Sequence, residues 1–548
     1  MRRLFKRKSA KSPWHEILAS GLPKRAEVPD GTRVLCASSV GGAYLVRTVD
    51  SVVALALWLR GAEPTMLLCD GMLPACEACV YDAFPDPAEF ARNGPQRRLC
   101  SPCFSAGADF YAPLPVPVHR YSQYVDAGEM AAAQAFASTL SVAECFSFEQ
   151  DGLRLGEQAR AGTIRFFGKA QLHDEPPDLV TAAARRYAAG AIVAAAVARR
   201  VLAKLQPDCL VAHHGVYVPQ GVLGEVARQA GVRVVNWGVS YRNTTIIASH
   251  EDTYHRTLID EPTDLWDFPL TAEQVREISS YLETRRRGRG DWTWVTPEAA
   301  LRPEFQADEE LVEGLGLDPA RPIFGLLTNV LWDAQLYYEG HAFADMLEWL
   351  FATLDYFLDN PELQLIVRIH PHEIKSGNRQ PVAAEIERRY GRLPPSIAVV
   401  PYDHSYNTYA LMGLCRAVLI YGTKTGVELV PYGTPVIVSG DAWIRGKGLT
   451  MDISCLTQYE DTLERLTTIE PLDDEHRARG LRYAYHYFLR RMIPLAALDP
   501  DAPLPALRIE SAEELLPGRD PGLDVMCEGI LRGAPFVFDR APAAAPTR

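Results

Sequence analysis

LIVRIHPHE, residues 365–373, starts as a buried strand and ends in groups that carry protons and bind anions. Leu365, Ile366, Val367 and Ile369 have the branched, apolar character of a central strand. Arg368 and His370 alternate with Val367 and Ile369, so they share one face. Pro371 stops the run, because it has no N–H for a ladder.

Similar runs surround it. PIFGLLTN (322–329), IAVV (397–400), AVLIY (417–421) and TPVIVSG (434–440) read as further strands. HAFADMLEWLFATLDYFLDN (341–360), VAAEIERRYG (382–391), SYNTYALMGLC (405–415) and GVELVPYG (426–433) read as helices between them. Strand–helix alternation predicts a doubly wound parallel sheet. No G-x-G-x-x-G follows the first strand, which argues against a standard dinucleotide site.

An earlier block repeats the architecture without repeating the sequence. RVLCA (33–37), PTMLLC (64–69), DCLVAH (208–213) and VRVVNW (232–237) are its expected strands, and a long helix spans about 178–204. The predicted fold class is α/β, with two Rossmann-like domains facing a central cleft. The expected organisation is a basic tail (1–24), a first domain (25–262), a helical linker (263–320), a second domain (321–500) and a C-terminal extension (501–548). With 548 residues, two domains are expected on size alone, since single cores stop growing near ~250–300 residues.

Composition narrows the partners. The net charge of −13 lacks the basic footprint of a nucleic-acid binder. The start, MRRLFKRKSAK, is the exception. It reads either as a solvated tail or as contact with anionic lipid at a membrane surface. YAAGAIVAAAVA (187–198) is too short for a membrane span. The expected location is cytoplasmic, with peripheral attachment at the inner membrane as the alternative.

Ligands of open α/β sheets bind beyond the carboxyl ends of the strands. In the second block those ends carry Asn329, then Arg368, His370, His372 and Glu373, then Ser405 in YDHS, then GTKTG (422–426). Thr423, Lys424 and Thr425 offer hydroxyls and a cation at a helix start, where backbone N–H groups also favour phosphate. Glu428, one turn later, is expected to meet ribose hydroxyls. Together these residues predict a nucleotide-phosphate site.

R-x-H-P-x-E, followed about fifty residues later by Y-G-[ST]-x-[ST]-G-x-E-x-x-x-x-G-x-P-V-I, resembles the capsule polysaccharide biosynthesis glycosyltransferase family, which includes capsular Kdo transferases of GT-B architecture. The resemblance covers about 320–455, and loosely 200–262 through AHHGVYVPQG and NWG. The HP-plus-hydroxyl pattern is also similar to that of bacterial sialyltransferases. What it implies is that His370, Thr423 and Thr425 hold the donor phosphate of a nucleotide sugar. The sugar would pass to a glycan or glycolipid acceptor from the first domain. Lys424 between the two threonines departs from the pattern.

Lys424, Arg368 and His370 can stabilise leaving-group charge without a metal, and no D-x-D stands at a strand end. His213 and His214 are the first-domain candidates for a base, because imidazole titrates near neutrality. Glu149, Glu251, Asp252 and His255 follow them. The loop SSVGG (38–42) reads either as a close approach to phosphate or as a tight turn. An epimerase or polyol-phosphate transferase on the same fold, and a non-catalytic scaffold of polysaccharide export, are the competing readings.

Five cysteines cluster within 69–103. Cys76-x2-Cys79 and Cys100-x2-Cys103 have the spacing of a four-cysteine zinc site, with Cys69 as a spare ligand. An iron–sulfur cluster takes the same four thiolates. This segment is expected to be a metal-stapled insertion in the first domain.

Overall fold

The apolar runs form two separate sheets in a computed structural model, which describes residues 12–26, 31–287, 305–333, 341–373, 377–502 and 506–539. The first half supplies β1 (Arg33–Ser39), β2 (Glu63–Leu68), β3 (Val118–Arg120), β4 (Cys209–His213), β5 (Arg233–Val239) and β6 (Thr245–His250). The second supplies β7 (Ile323–Leu327), β8 (Gln364–Arg368), β9 (Ile397–Val400), β10 (Val418–Ile420), β11 (Val436–Val438) and β12 (Met451–Asp452). A late strand, β13 (Ile493–Pro494), follows.

The second sheet runs β12-β11-β10-β7-β8-β9, parallel throughout. The first runs β13-β6-β5-β4-β1-β2-β3, with β6 antiparallel to both its neighbours. Parallel strands covered on both faces must be apolar on both. Accordingly β7 and β8 are buried at every residue. Their side chains divide by parity: Ile323, Leu327 and Ile366 enter one core, and Phe324, Leu326, Leu365 and Val367 enter the other.

Helix Met346–Asp359 lies over that second face. Asp345 caps it by accepting from Leu347 N and Glu348 N at 2.9 Å. Trp349, Leu350, Leu354 and Phe357 are fully buried in this core, each contributing roughly 1.5–3 kcal/mol. The long helix is Pro177–Leu205, close to its expected span.

The observed boundaries depart from those expected. The chain returns to the first sheet at its end, where Ile493 pairs with Ile246. Helix Pro521–Arg532 buries Leu523, Met526, Cys527 and Ile530 in the same core as Val34 and Val53. The cause is the apolar face of that helix, which has no other core to enter. Within the expected linker, helices Ala272–Arg286 and Asp308–Leu315 place Ile278, Leu282 and Leu311 in a second-sheet core. Residues 288–304 lie outside the described set. So do the basic residues 1–11 and the C-terminal residues 540–548.

The two halves meet through polar contacts. Gln380 Oε1 accepts from Ala170 N at 3.0 Å and Gln171 N at 3.2 Å. Arg379 pairs with Glu175 at 3.0 Å and donates to the Phe167 carbonyl at 3.2 Å. Among the described residues, no helix is long and apolar enough to cross a membrane.

Candidate functional site

Three adjacent strands, β10-β7-β8, bring the expected phosphate-side residues together. β7 is central and its end is the hinge of the arrangement. Thr328 Oγ1 accepts from His370 N at 2.9 Å, tying the end of β8 to β7. Asn329 Oδ1 accepts from Gly422 N at 3.3 Å, tying the end of β10 to β7. His370, Asn329 and the GTKTG loop therefore line one edge.

His370 is neutral and its tautomer is set. His372 N donates to His370 Nδ1 at 3.1 Å, so the ring proton sits on Nε2 as a donor. Burial, helped by His372, Lys424 and Arg368, lowers its pKa to about 3. Thr423 and Thr425 share a hydroxyl contact of 3.0 Å. Lys424 Nζ lies 3.2 Å from Glu428 and 4.6 Å from the centroid of the Tyr241 ring. Tyr241 belongs to the β5–β6 turn, so the lysine is one of the contacts between the halves.

Three sequence-assigned donor residues have other duties. Glu428 is 1% exposed. Its carboxylate accepts from Arg285 Nε at 2.6 Å and Tyr409 OH at 2.5 Å. Burial pushes its pKa up, but Arg285, Lys424 and Tyr409 outweigh that and hold it at about 2. It is a buried anchor and not a ribose ligand. Glu373 is also buried, and accepts from Val382 N at 2.8 Å, capping helix Val382–Tyr390. Arg368 donates to Thr408 Oγ1 at 3.2 Å, to the Pro401 carbonyl and to the His404 carbonyl at 3.4 Å. It clamps the loop after β9; Ser405, on that loop, is exposed. The helix behind GTKTG is only Thr425–Leu429, so its dipole is that of a single turn.

In the first domain, the ends of β1, β4 and β5 form the opposite wall. His213 N donates to Ser38 Oγ at 3.0 Å. Gln220 Nε2 donates to Ser38 O and to Glu77 Oε1, both at 2.8 Å. Arg165 donates to the Glu77 carbonyl at 3.2 Å and stacks over Tyr217 at 5.0 Å and Trp332 at 5.3 Å. Burial lowers His213 to about 3, and pushes His214 well below its ordinary value. A base so weak captures few protons near neutrality, so their environment suits neutral hydrogen bonding better. Asn236, Arg165, Tyr241 and Trp443 went unnoticed in the sequence. Only Asn236, a lone amide within VRVVNW, left a signal there.

The SSVGG loop is a packing device. A Cβ on Gly41 would stand 2.7 Å from the Cys103 carbonyl and 2.9 Å from Gly107 Cα. Gly42 N donates to Cys103 Sγ at 3.1 Å. The glycines admit helix Ser101–Tyr111 and leave no room there for phosphate.

The expected metal site is not supported. Among the described residues, no group of three or more His, Cys, Asp or Glu is placed to hold a metal ion. Zinc and an iron–sulfur cluster on Cys76, Cys79, Cys100 and Cys103, with Cys69 in reserve, are both without support in this arrangement. Cys79 lies under Tyr187, whose hydroxyl donates to the carbonyls of Cys76 at 3.3 Å and Cys79 at 3.1 Å. Burial raises the Cys69 and Cys103 thiols to about 12. Aromatic packing anchors the middle of the segment: Phe90 stacks on Phe166 at 4.4 Å and touches Phe84 at 5.2 Å.

Residues 315–467 match the family model described as capsule polysaccharide biosynthesis protein. That stretch contains both HPHE and GTKTGVE, the motifs that carry the resemblance. No curated protein matches the chain. Among solved structures, Thermosulfurimonas dismutans KpsC, beta Kdo 2,4 transferase, is 15% identical, with 56% of this chain and 87% of that chain covered and a TM-score of 0.35. The beta Kdo 2,7 transferase of the same KpsC is 13% identical, with coverages of 58% and 86% and a TM-score of 0.30. The S. aureus MnaA–UDP co-structure is 10% identical, with coverages of 83% and 91% and a TM-score of 0.24. Likenesses this loose carry no inference about donor or acceptor.

Proposed function

We propose that the chain is a glycosyltransferase of GT-B type that moves a sugar from a nucleotide-activated donor to a capsular or other surface glycan. The observation that carries this reading is the joining of His370, Asn329 and the Thr423–Lys424–Thr425 loop at one parallel-sheet edge. That edge lies inside the segment matched by the capsule biosynthesis family model.

The donor phosphate would sit against this edge. His370 Nε2–H and the two threonine hydroxyls donate to its oxygens, and Lys424 supplies the countercharge. As the glycosidic bond to phosphate breaks, negative charge grows on the leaving group. Donors already aimed at that position lower the barrier without reorganising. The acceptor enters from the first-domain wall. CMP-linked Kdo or another nonulosonate, and UDP- or GDP-linked sugars, are the donor classes in this reading. Basic residues 1–11 would bring the protein to anionic lipid, where a growing glycolipid acceptor is found.

A thermal-shift screen against CMP-, UDP-, GDP- and CDP-sugars tests the donor site. A donor at 100 times its Kd stabilises by about 2.7 kcal/mol. One nucleotide class is expected to shift the wild type, and to lose its effect in Thr423→Val/Thr425→Val. No shift with any of the four classes contradicts the proposal.

A further inference from the structure

The two halves are joined at two places along the second sheet. Beside β11 the chain itself crosses. Glu261, on the outgoing segment, lies 2.9 Å from His486 Nε2 and 3.1 Å from Arg491 Nε on the returning one. Lys447, past β11, donates to the carbonyls of Ile259 at 2.7 Å and Glu261 at 3.1 Å. Beyond β8 the join is made by residues 377–381, which reach the first domain without belonging to a crossing segment. The order β11-β10-β7-β8 sets three strand spacings, about 14 Å, between the two joins. The GTKTG loop, at the end of β10, stands between them.

The join beyond β8 is dense and polar. Arg379 N donates to the Gly168 carbonyl at 2.9 Å. Its guanidinium pairs with Glu175 at 3.0 Å, and Lys169 Nζ holds the same carboxylate at 2.6 Å. Gln380 Oε1 accepts from Ala170 N and Gln171 N. The Arg379 guanidinium also lies over the Tyr81 ring, 3.4 Å from its centroid. Tyr81 leans on Phe166 and Phe167 at 5.9 and 6.2 Å, so the cysteine-bearing segment supplies the seat for Arg379. Gly168 has φ of 63°, and a Cβ on it would stand 2.3 Å from the Gly377 carbonyl. The two backbones therefore meet where glycine alone fits. Polar contacts between domains are of the kind that part and re-form.

The halves touch across the face a donor would use. Lys424 lies against Tyr241 at 4.6 Å, Trp443 against His255 at 5.6 Å, and Tyr217 OH donates to Asp333 at 3.4 Å. A nucleotide sugar set against His370, Thr423 and Lys424 needs that face, so the halves must part to admit it. The 377–381 loop is tied to the same edge. Glu373 N donates to the His370 carbonyl at 3.0 Å, and the Glu373 carboxylate accepts from Val382 N at 2.8 Å. We propose that Arg379 and Gln380 form a latch. It fastens to residues 167–175 to hold the cleft shut, and it lets go so that the halves open about the crossing segments and ligands exchange. The gating role rests on the glycosyltransferase reading; the latch itself does not.

The test combines hydrogen-exchange mass spectrometry with small-angle X-ray scattering on the full chain without nucleotide. In Arg379→Glu, which sets two carboxylates against each other, the amides at 170, 171 and 379 should exchange at least tenfold faster. Those of β7 and β8 should keep their wild-type rates, and the radius of gyration should rise. Adding Glu175→Arg to Arg379→Glu restores the pair with its charges exchanged, and should return both readings toward wild type. Gln380→Ala should speed exchange at 170 and 171 alone. Unchanged exchange in Arg379→Glu, faster exchange with no rise in the radius, or faster exchange that spreads through β7 and β8 overturns the proposal. A sugar nucleotide added to the wild type should slow the same amides. If none of the four classes does so while the variants behave as expected, the transferase reading fails and the latch stands.

Discussion

Arg285 and Glu428, 143 residues apart, join in a buried ion pair with Nε 2.6 Å from the carboxylate. Their side chains are 4% and 1% exposed. The pair fixes the linker helix against the short helix behind GTKTG, and so sets where Lys424 stands. Removing Arg285 leaves the buried Glu428 with Lys424 Nζ 3.2 Å away, so the cost falls below the about 3–5 kcal/mol of a fully uncompensated buried charge. Arg285→Ala should therefore lower stability, by less than that amount, read from urea midpoints. The pKa of Glu428 lies at about 2 when folded, below its ordinary value of about 4.3. Its stabilisation is complete above the ordinary value and fades as pH falls toward 2. In Glu428→Gln that acid-dependent loss should shrink.

Asp50 predicts the opposite slope. Its carboxyl is buried and accepts from Trp237 Nε1 at 3.0 Å. Burial raises its pKa to about 7, against the hydrogen bonds from Ser38 and Trp237. An acid whose folded pKa is raised contributes most below its unfolded value of about 3.9 and loses that contribution up to the folded one. Asp50→Asn mimics the protonated form and keeps an acceptor for Trp237. Its melting temperature should exceed that of the wild type by an amount that grows from pH 4 to 7 and then levels off. A constant difference across that range would contradict the assignment.

His370 acts as a neutral donor. Burial holds its pKa at about 3, so the pH profile of kcat/KM for the donor should show no His370 inflection between pH 5 and 7. His370→Ala should lose roughly 10²–10³ in kcat, the cost of one donor aimed at developing charge. His370→Asn, which restores an N–H, should recover part of it and leave the profile unchanged in shape.

Lys424 supplies charge as well as contact. Lys424→Met should abolish the thermal shift given by the nucleotide sugar, and should leave the fold intact because Arg285 still neutralises Glu428. Equal donor affinity in this variant would move the phosphate site elsewhere.

Most strands of both sheets were legible because each is a short branched, apolar run bounded by turn residues, and β8 with its HPHE end marked the crevice. β3, β6, β12 and β13 escaped notice. Ile493–Pro494 has only two ladder residues, and its pairing with Thr245–Ile246 spans nearly half the chain. Residue roles were harder to read than residue positions. Glu428 looks like a ligand in GTKTGVE until Arg285 is placed against it. Glu373 looks like part of a catalytic motif until Val382 N is found 2.8 Å away. The cysteine spacing fits a metal site, but spacing does not record how the side chains are placed, and no group of three or more ligands is placed to hold a metal among the described residues.

The transfer itself is measured by following nucleotide release from whichever sugar nucleotide binds, with and without a glycan acceptor. The account predicts release that rises with acceptor concentration, accompanies sugar incorporation into the glycan, and falls at least a hundredfold in His370→Ala. Release that ignores the acceptor, or that persists unchanged in His370→Ala, would contradict it.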